Sequence, residues 1–119
     1  MTMLRASPYI ACRDVDASID FFRRTLGFEP RLRMGEPANF AIIFKDDVSL
    51  TLTLDRQGEI AGRSSTYITV RGVDALYERC KAAGATMDQE LGSRDYGMKD
   101  FTIHDLDENH IMVGEPLTG

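Results

Sequence analysis

The chain has 119 residues, 43% hydrophobic and 28% charged, with 14 basic against 19 acidic side chains and a net charge of −5. That length suits one compact domain over residues 1–119 with a core of ordinary size. The acidic balance argues against nucleic acid or an anionic membrane surface as a partner. No stretch approaches the ~20 apolar residues of a membrane span, and Met1-Thr2-Met3-Leu4-Arg5 lacks the apolar run of a signal peptide. The expected setting is therefore the cytoplasm, with Cys12 and Cys80 as buried free thiols.

Pro8 to Cys12 predicts a short strand of apolar, β-branched and aromatic residues. A helix follows, with Asp14 and Asp16 as its expected capping residues. Val15, Ile19, Phe22 and Leu26 form one stripe, and Gly27 ends it. Phe28 to Arg33 predicts a second strand, Gly35-Glu36-Pro37 a turn, and Asn39 to Lys45 a third strand. After Asp46-Asp47, Val48 to Leu54 alternates apolar with hydroxyl residues, the pattern of a strand with two different faces.

The polar segment Asp55 to Ser64 links this half to a second with the same order. Thr66 to Arg71 is its first strand. Asp74 is the expected cap of a helix that puts Val73, Leu76, Cys80 and Ala83 on one face and stops at Gly84. Thr86 to Leu91, Tyr96 to His104 and Asn109 to Val113 complete the half, with Asp105 to Glu108 as the last turn.

The two halves are copies. Ser7 to Ala17 recurs as Ser65 to Ala75 at a constant offset of 58 residues, with 7 of 11 positions identical: Ser, Tyr, Ile, Arg, Val, Asp and Ala. A unit seen twice is a duplicated module rather than a solenoid, which needs at least ~3 repeats. The expected fold is α+β. Two tandem βαβββ modules (about 5–55 and 65–116, linker 56–64) form a curved mixed sheet around a central cleft where a ligand could sit.

This arrangement resembles the vicinal oxygen chelate superfamily, which includes glyoxalase I, extradiol dioxygenases, fosfomycin-resistance enzymes and bleomycin-resistance proteins. The likeness is carried by Asp14 to Phe22 with Leu26-Gly27-Phe28, by Val73-Asp74-Ala75-Leu76 with Ala82-Ala83-Gly84-Ala85, and by Asp105-Leu106-Asp107-Glu108-Asn109. The last stands where the family usually has Asp-Pro-Asp-Gly-Asn. If the turn keeps a positive φ, Glu108 replaces a glycine at a cost of roughly 1–2 kcal/mol.

Metal-using members of that superfamily hold a divalent ion with His, Gln or Glu from the first and last strand of each module. Matched by motif, those positions fall on Ser7, Thr51, Ser65 and Met112. Alcohols and a thioether are poor ligands for zinc, iron, manganese or nickel. The resemblance therefore implies no metal, no other cofactor and no catalytic residue. It implies a non-catalytic homodimer of the bleomycin-resistance type that binds a small molecule, in that family a cationic, partly aromatic antibiotic.

Candidate ligand-binding residues are Tyr9, Phe40, Thr51, Thr53, Tyr67, Tyr96 and Met112. Tyr9 and Tyr67 share strand parity with Ser7 and Ser65. Two other readings stay open. One is a metal-dependent lyase or dioxygenase with displaced ligands, built from His104 or His110 with Asp105, Glu108 or Glu115. The other is a dimer scaffold with a sealed hollow.

Overall fold

A computed structural model describes residues 1–117. The elements run β1 (Tyr9–Cys12), α1 (Val15–Leu26), β2 (Glu29–Met34), β3 (Phe40–Lys45), β4 (Val48–Leu54), β5 (Ser65–Thr69), α2 (Val73–Ala82), β6 (Thr86–Ser93), β7 (Met98–His104) and β8 (His110–Pro116). They form two four-stranded mixed sheets, ordered β1-β4-β3-β2 and β5-β8-β7-β6. In each, the first strand pairs parallel with the last (Tyr9 opposite Thr51, Tyr67 opposite Met112), and the remaining pairs are antiparallel. The expected α+β architecture with duplicated βαβββ order is the observed one. No helix among the described residues is long and apolar enough to cross a membrane.

Strand alternation assigns the two faces. Ile10, Cys12, Ala41, Ile43, Leu50 and Leu52 of the first sheet, and Ile68, Phe101, Ile103, Ile111 and Val113 of the second, join one core with the helix residues Val15, Ile19, Phe22, Leu26, Val73 and Cys80. Phe22 is fully buried and meets Phe21 and Phe28 edge-to-face. Burial pushes both thiols, Cys12 and Cys80, up to about 12, which leaves them unreactive. One layer of strands backed by one layer of helices gives a slab of 44 × 40 × 23 Å. Its other sheet face carries exposed Tyr9, Leu32, Met34 and Tyr67.

The helix caps match expectation in part. Of the two aspartates expected at α1, Asp14 accepts the first-turn N–H of Ala17 (3.0 Å), because the chain leaves β1 in extended conformation there. Asp16 instead accepts two hydrogen bonds from Arg33 (2.8 and 2.9 Å) and one from Ala38 N–H (3.1 Å), tying α1 to the β2–β3 turn. Asp74 pairs with Lys99, and Gly72 occupies the cap position of α2. Glygcine has no capping side chain, so Glu115 of β8 accepts the N–H groups of Gly72 and Val73, each at 3.0 Å. Gly27 does end α1, at φ 80°, with its N–H on Arg23 C=O and that of Phe28 on Phe22 C=O.

Two contacts join the halves. The helices exchange arginines: Arg79 donates to the C=O groups of Arg23 (2.9 Å) and Arg24 (3.2 Å), and Arg24 donates to that of Ala83 (3.2 Å). Cations thus sit on the carbonyl ends of both helices. At the opposite end, the β7–β8 turn closes against the outer edge of β1. Asp105 accepts the N–H groups of Asp107 and Asn109 (2.9 Å each), and Glu108 takes the positive φ (66°) of the glycine it replaces. Fully buried Asn109 donates to Ala11 C=O (2.9 Å) and Asp105 (3.0 Å), and accepts from Gly62 N–H (2.9 Å) and Ser64 N–H (3.3 Å). Arg13 N–H donates to Asp107 (3.1 Å), and Ser64 Oγ to Tyr9 C=O (3.4 Å).

Candidate ligand-binding face

The face away from the helices carries rows of side chains fixed by register. In the first sheet one row is Tyr9, Thr51, Ile42 and Leu32, and the next is Thr53, Phe40 and Met34. In the second, one row is Tyr67, Met112, Thr102 and Gln89, and the row beside it is Gly114, Asp100 and Gly92. Tyr9, Phe40, Thr51, Thr53, Tyr67 and Met112 therefore stand on one side of the molecule, in two groups on two sheets. Tyr96 joins the second group from the β6–β7 loop. Tyr9 is 65% exposed and Thr51 only 2%, so a molecule laid on this face meets the tyrosine before the threonine.

Thr51 is covered by its partner in the superfamily's metal set. Ser7 Oγ and Thr51 Oγ1 lie 2.7 Å apart in a hydrogen bond. Two positions that elsewhere grip a cation satisfy one another here, and neither has a nitrogen or a carboxylate to offer. In the second module, Ser65 and Met112 add a hydroxyl and a thioether beside His110 and Tyr67. These four residues do not fit a divalent ion.

The histidines do meet across the β7–β8 pair, but not with the carboxylates expected of them. His104 and His110 both turn Nδ1 onto Asp88, at 2.9 and 3.2 Å, where a bulge in β6 brings that residue over. Asp105 is used up in its turn and Glu115 in the α2 cap. No group of three His, Cys, Asp or Glu among the described residues has the geometry to hold a metal ion.

The most ordered polar feature of the face is one carboxylate. Asp100, 2% exposed, accepts hydrogen bonds from Tyr96 Oη (2.5 Å), Arg94 Nε (2.8 Å) and Tyr67 Oη (2.9 Å). Burial alone pushes this carboxyl up, but the three donors outweigh it and hold it below the usual carboxylate range. It is an anion at neutral pH, and it fixes two aromatic rings at the edge of the sheet. Sequence reasoning missed Asp100, Arg94 and Gly114 as parts of the site. The available signal was a glycine inside a strand, which marks a close approach by another group. Tyr67 lies across Gly114, where a Cβ would strike its hydroxyl end and come within 2.9 Å of Asp100 Cβ.

The tyrosine hydroxyl carries a measurable signature. Burial first, then the bond to anionic Asp100, raises Tyr67 from 10.0 to about 12. The folded protein holds this proton more tightly than the unfolded chain does, so rising pH between those values favours unfolding. Tyr77 and Tyr96 are raised too, by their bonds to Glu90 and Asp100, so titration of phenolate absorbance should show late components from three tyrosines, of which Tyr67→Phe removes one.

A duplicated βαβββ body, helices behind and an open aromatic- and hydroxyl-bearing sheet face in front, defines a class of small-molecule-binding folds. The family model of the Glyoxalase/Bleomycin resistance protein/Dioxygenase superfamily matches residues 4–113, and the chain belongs to that superfamily. No curated protein sequence matches it.

Among solved structures it is similar to the bleomycin-binding protein of bleomycin-producing Streptomyces verticillus, complexed with copper(II)-bleomycin. The TM-score is 0.80 at 25% identity, over 95% of this chain and 96% of that one. TnmS3, an antibiotic-binding protein from Streptomyces sp. CB03234, superposes with TM-score 0.81 at 20% identity over 98% of both chains. TioX from Micromonospora sp. ML1 does so with TM-score 0.81 at 20% identity, over 93% of this chain and 98% of that one.

Proposed function

We propose that this protein is a non-catalytic binder of a small aromatic, cationic molecule, an antibiotic of the bleomycin kind, held on the open sheet face of a homodimer. The observation that carries the reading is the Ser7–Thr51 hydrogen bond, which joins two ancestral ligand positions to one another instead of to an ion. Support also comes from the rings of Tyr67 and Tyr96, held in place by the Arg94-paired Asp100, whose aromatic faces suit a flat or cationic guest. The net charge of −5 adds long-range attraction for such a guest. Bleomycin is bound by similar proteins of this fold, which makes it the first ligand to try.

Calorimetric titration with metal-free and copper-loaded bleomycin tests the reading. Saturable binding is expected, weakened about ten-fold or more by Tyr67→Ala, as for a central aromatic contact. Protein purified without chelator should carry no stoichiometric transition metal, and sedimentation should give a dimer. A tightly held metal lost on His110→Ala would replace this reading with that of a metal-dependent lyase or dioxygenase. No heat with bleomycin or other basic aromatic drugs would remove the drug-binding reading.

A further inference from the structure

The duplication predicts two equal seams, one at the outer edge of β1 and one at the outer edge of β5. They are not equal. With Thr51 opposite Tyr9 and Met112 opposite Tyr67, Val48 occupies in the first half the place of Asn109 in the second. The Asp105–Asn109 turn plugs the β1 edge with hydrogen bonds to Tyr9, Ala11 and Arg13 from it and the adjoining linker. Their counterparts at the 58-residue offset are Tyr67, Thr69 and Arg71.

Val70 N–H turns toward β8, onto Gly114 C=O (2.8 Å), so the peptide groups of Thr69 and Arg71 turn toward the seam. No hydrogen bond to them occurs among the described residues. Val48, lacking the side-chain amide of Asn109, cannot take its place. What fills the β1 seam is replaced at β5 by a cavity of about 460 Å³.

Its walls are apolar, from Phe28, Val48, Ile68 and Leu76, and its polar lining is mainly cationic. Lys45 and Arg71 line it, both exposed and neither in an ion pair among the described residues, against a single lining carboxylate, Asp46. Arg79 also lines it but is engaged by the α1 carbonyls. A chain of net charge −5 thus concentrates unpaired positive charge on an unpaired strand edge beside a hydrocarbon-lined hollow. Volume, wall chemistry and charge match a ligand pocket of ordinary size.

We infer that this seam is a second binding site, separate from the open sheet face, for a small organic acid with an apolar ring or chain. The carboxylate accepts from Arg71, through its guanidinium and main-chain N–H, and from Lys45. The apolar part lies among Phe28, Val48, Ile68 and Leu76. Charge-assisted bonds supply orientation and burial supplies affinity.

The full chain should be titrated with 2-naphthoate and, separately, with neutral 2-naphthamide, following backbone amide resonances. Naphthoate is expected to shift Thr69, Arg71 and Gly72 and to leave Tyr67 and Met112 unmoved. Arg71→Ala should weaken it about ten-fold or more, and Val48→Phe should block it by filling the hollow. No binding, equal binding of the amide, or shifts confined to the open face would overturn the inference. Should Val48→Phe fail to fold, Arg71→Ala decides, since Arg71 is exposed and supports no contact of the core. Loss of naphthoate binding in these variants with bleomycin binding intact would separate this site from the proposed drug face.

Discussion

Asn109→Ala should lower the unfolding free energy by about 3 kcal/mol or more, among the largest effects of any single polar substitution in this chain. The residue is fully buried, and three of its four side-chain bonds run to groups that make no other hydrogen bond among the described residues: Ala11 C=O, Gly62 N–H and Ser64 N–H; the fourth runs to Asp105. Truncation costs more than the bonds themselves, because Ala11 C=O is left buried and unpaired at about 1–3 kcal/mol, and the half-buried Gly62 N–H also loses its acceptor. The bonds also connect the halves, so the loss should reduce cooperativity as well as stability. Urea unfolding followed by far-ultraviolet circular dichroism is the measurement. A smaller midpoint with a lower apparent slope is expected. A loss under about 1 kcal/mol with unchanged slope would show that the shared core and the helix-end arginines suffice to hold the halves together.

Gly114→Ala should disable the ligand face while leaving the core intact. A methyl group there strikes the Tyr67 hydroxyl end and crowds Asp100 Cβ at 2.9 Å, so the ring must swing off the carboxylate. Overpacking of this kind costs about 1–3 kcal/mol, and the moved ring no longer forms the wall of the site. Three readouts should change together. The Tyr67 share of the late phenolate signal should be lost, bleomycin affinity should fall at least about ten-fold, and the melting temperature should drop by several degrees. Tyr67→Ala in the same background should restore most of the lost stability, since the clash needs both side chains. Separate, additive costs in the double variant would mean that Tyr67 does not lie across Gly114.

Most of the fold was legible in the sequence, because local patterns carry it. The α1 stripe with Gly27 behind it, the alternating hydroxyls of Val48 to Leu54 and the 58-residue repeat each rest on neighbours in the chain. Period-2 alternation also grouped Thr51 with Thr53 and Tyr9 and Tyr67 with Ser7 and Ser65, whereas Met112 came from the family likeness and alternation left Phe40 undecided; the register sets all of the candidates from Tyr9 to Met112 on the face away from the helices. What was not legible depends on residues far apart. Nothing near Gly72 says that Glu115 will cap its helix, and nothing near Asp88 says that two histidines will meet it. The burial of Thr51 under Ser7 needed the path of the segment before β1. The Arg94–Asp100 pair joins two strands across a loop whose length does not reveal its geometry.

A duplication starts with two identical junctions, each obliged to hold the pair of halves together. Here the two strand edges share that task unequally: at one, Asn109 and its turn are locked on four sides, while the rest of the hold comes from the common core and the helix-end arginines. The other edge was thereby released. Selection could hollow it, charge it and give it a new occupant without loosening the molecule, a freedom that no strictly symmetric ancestor possessed.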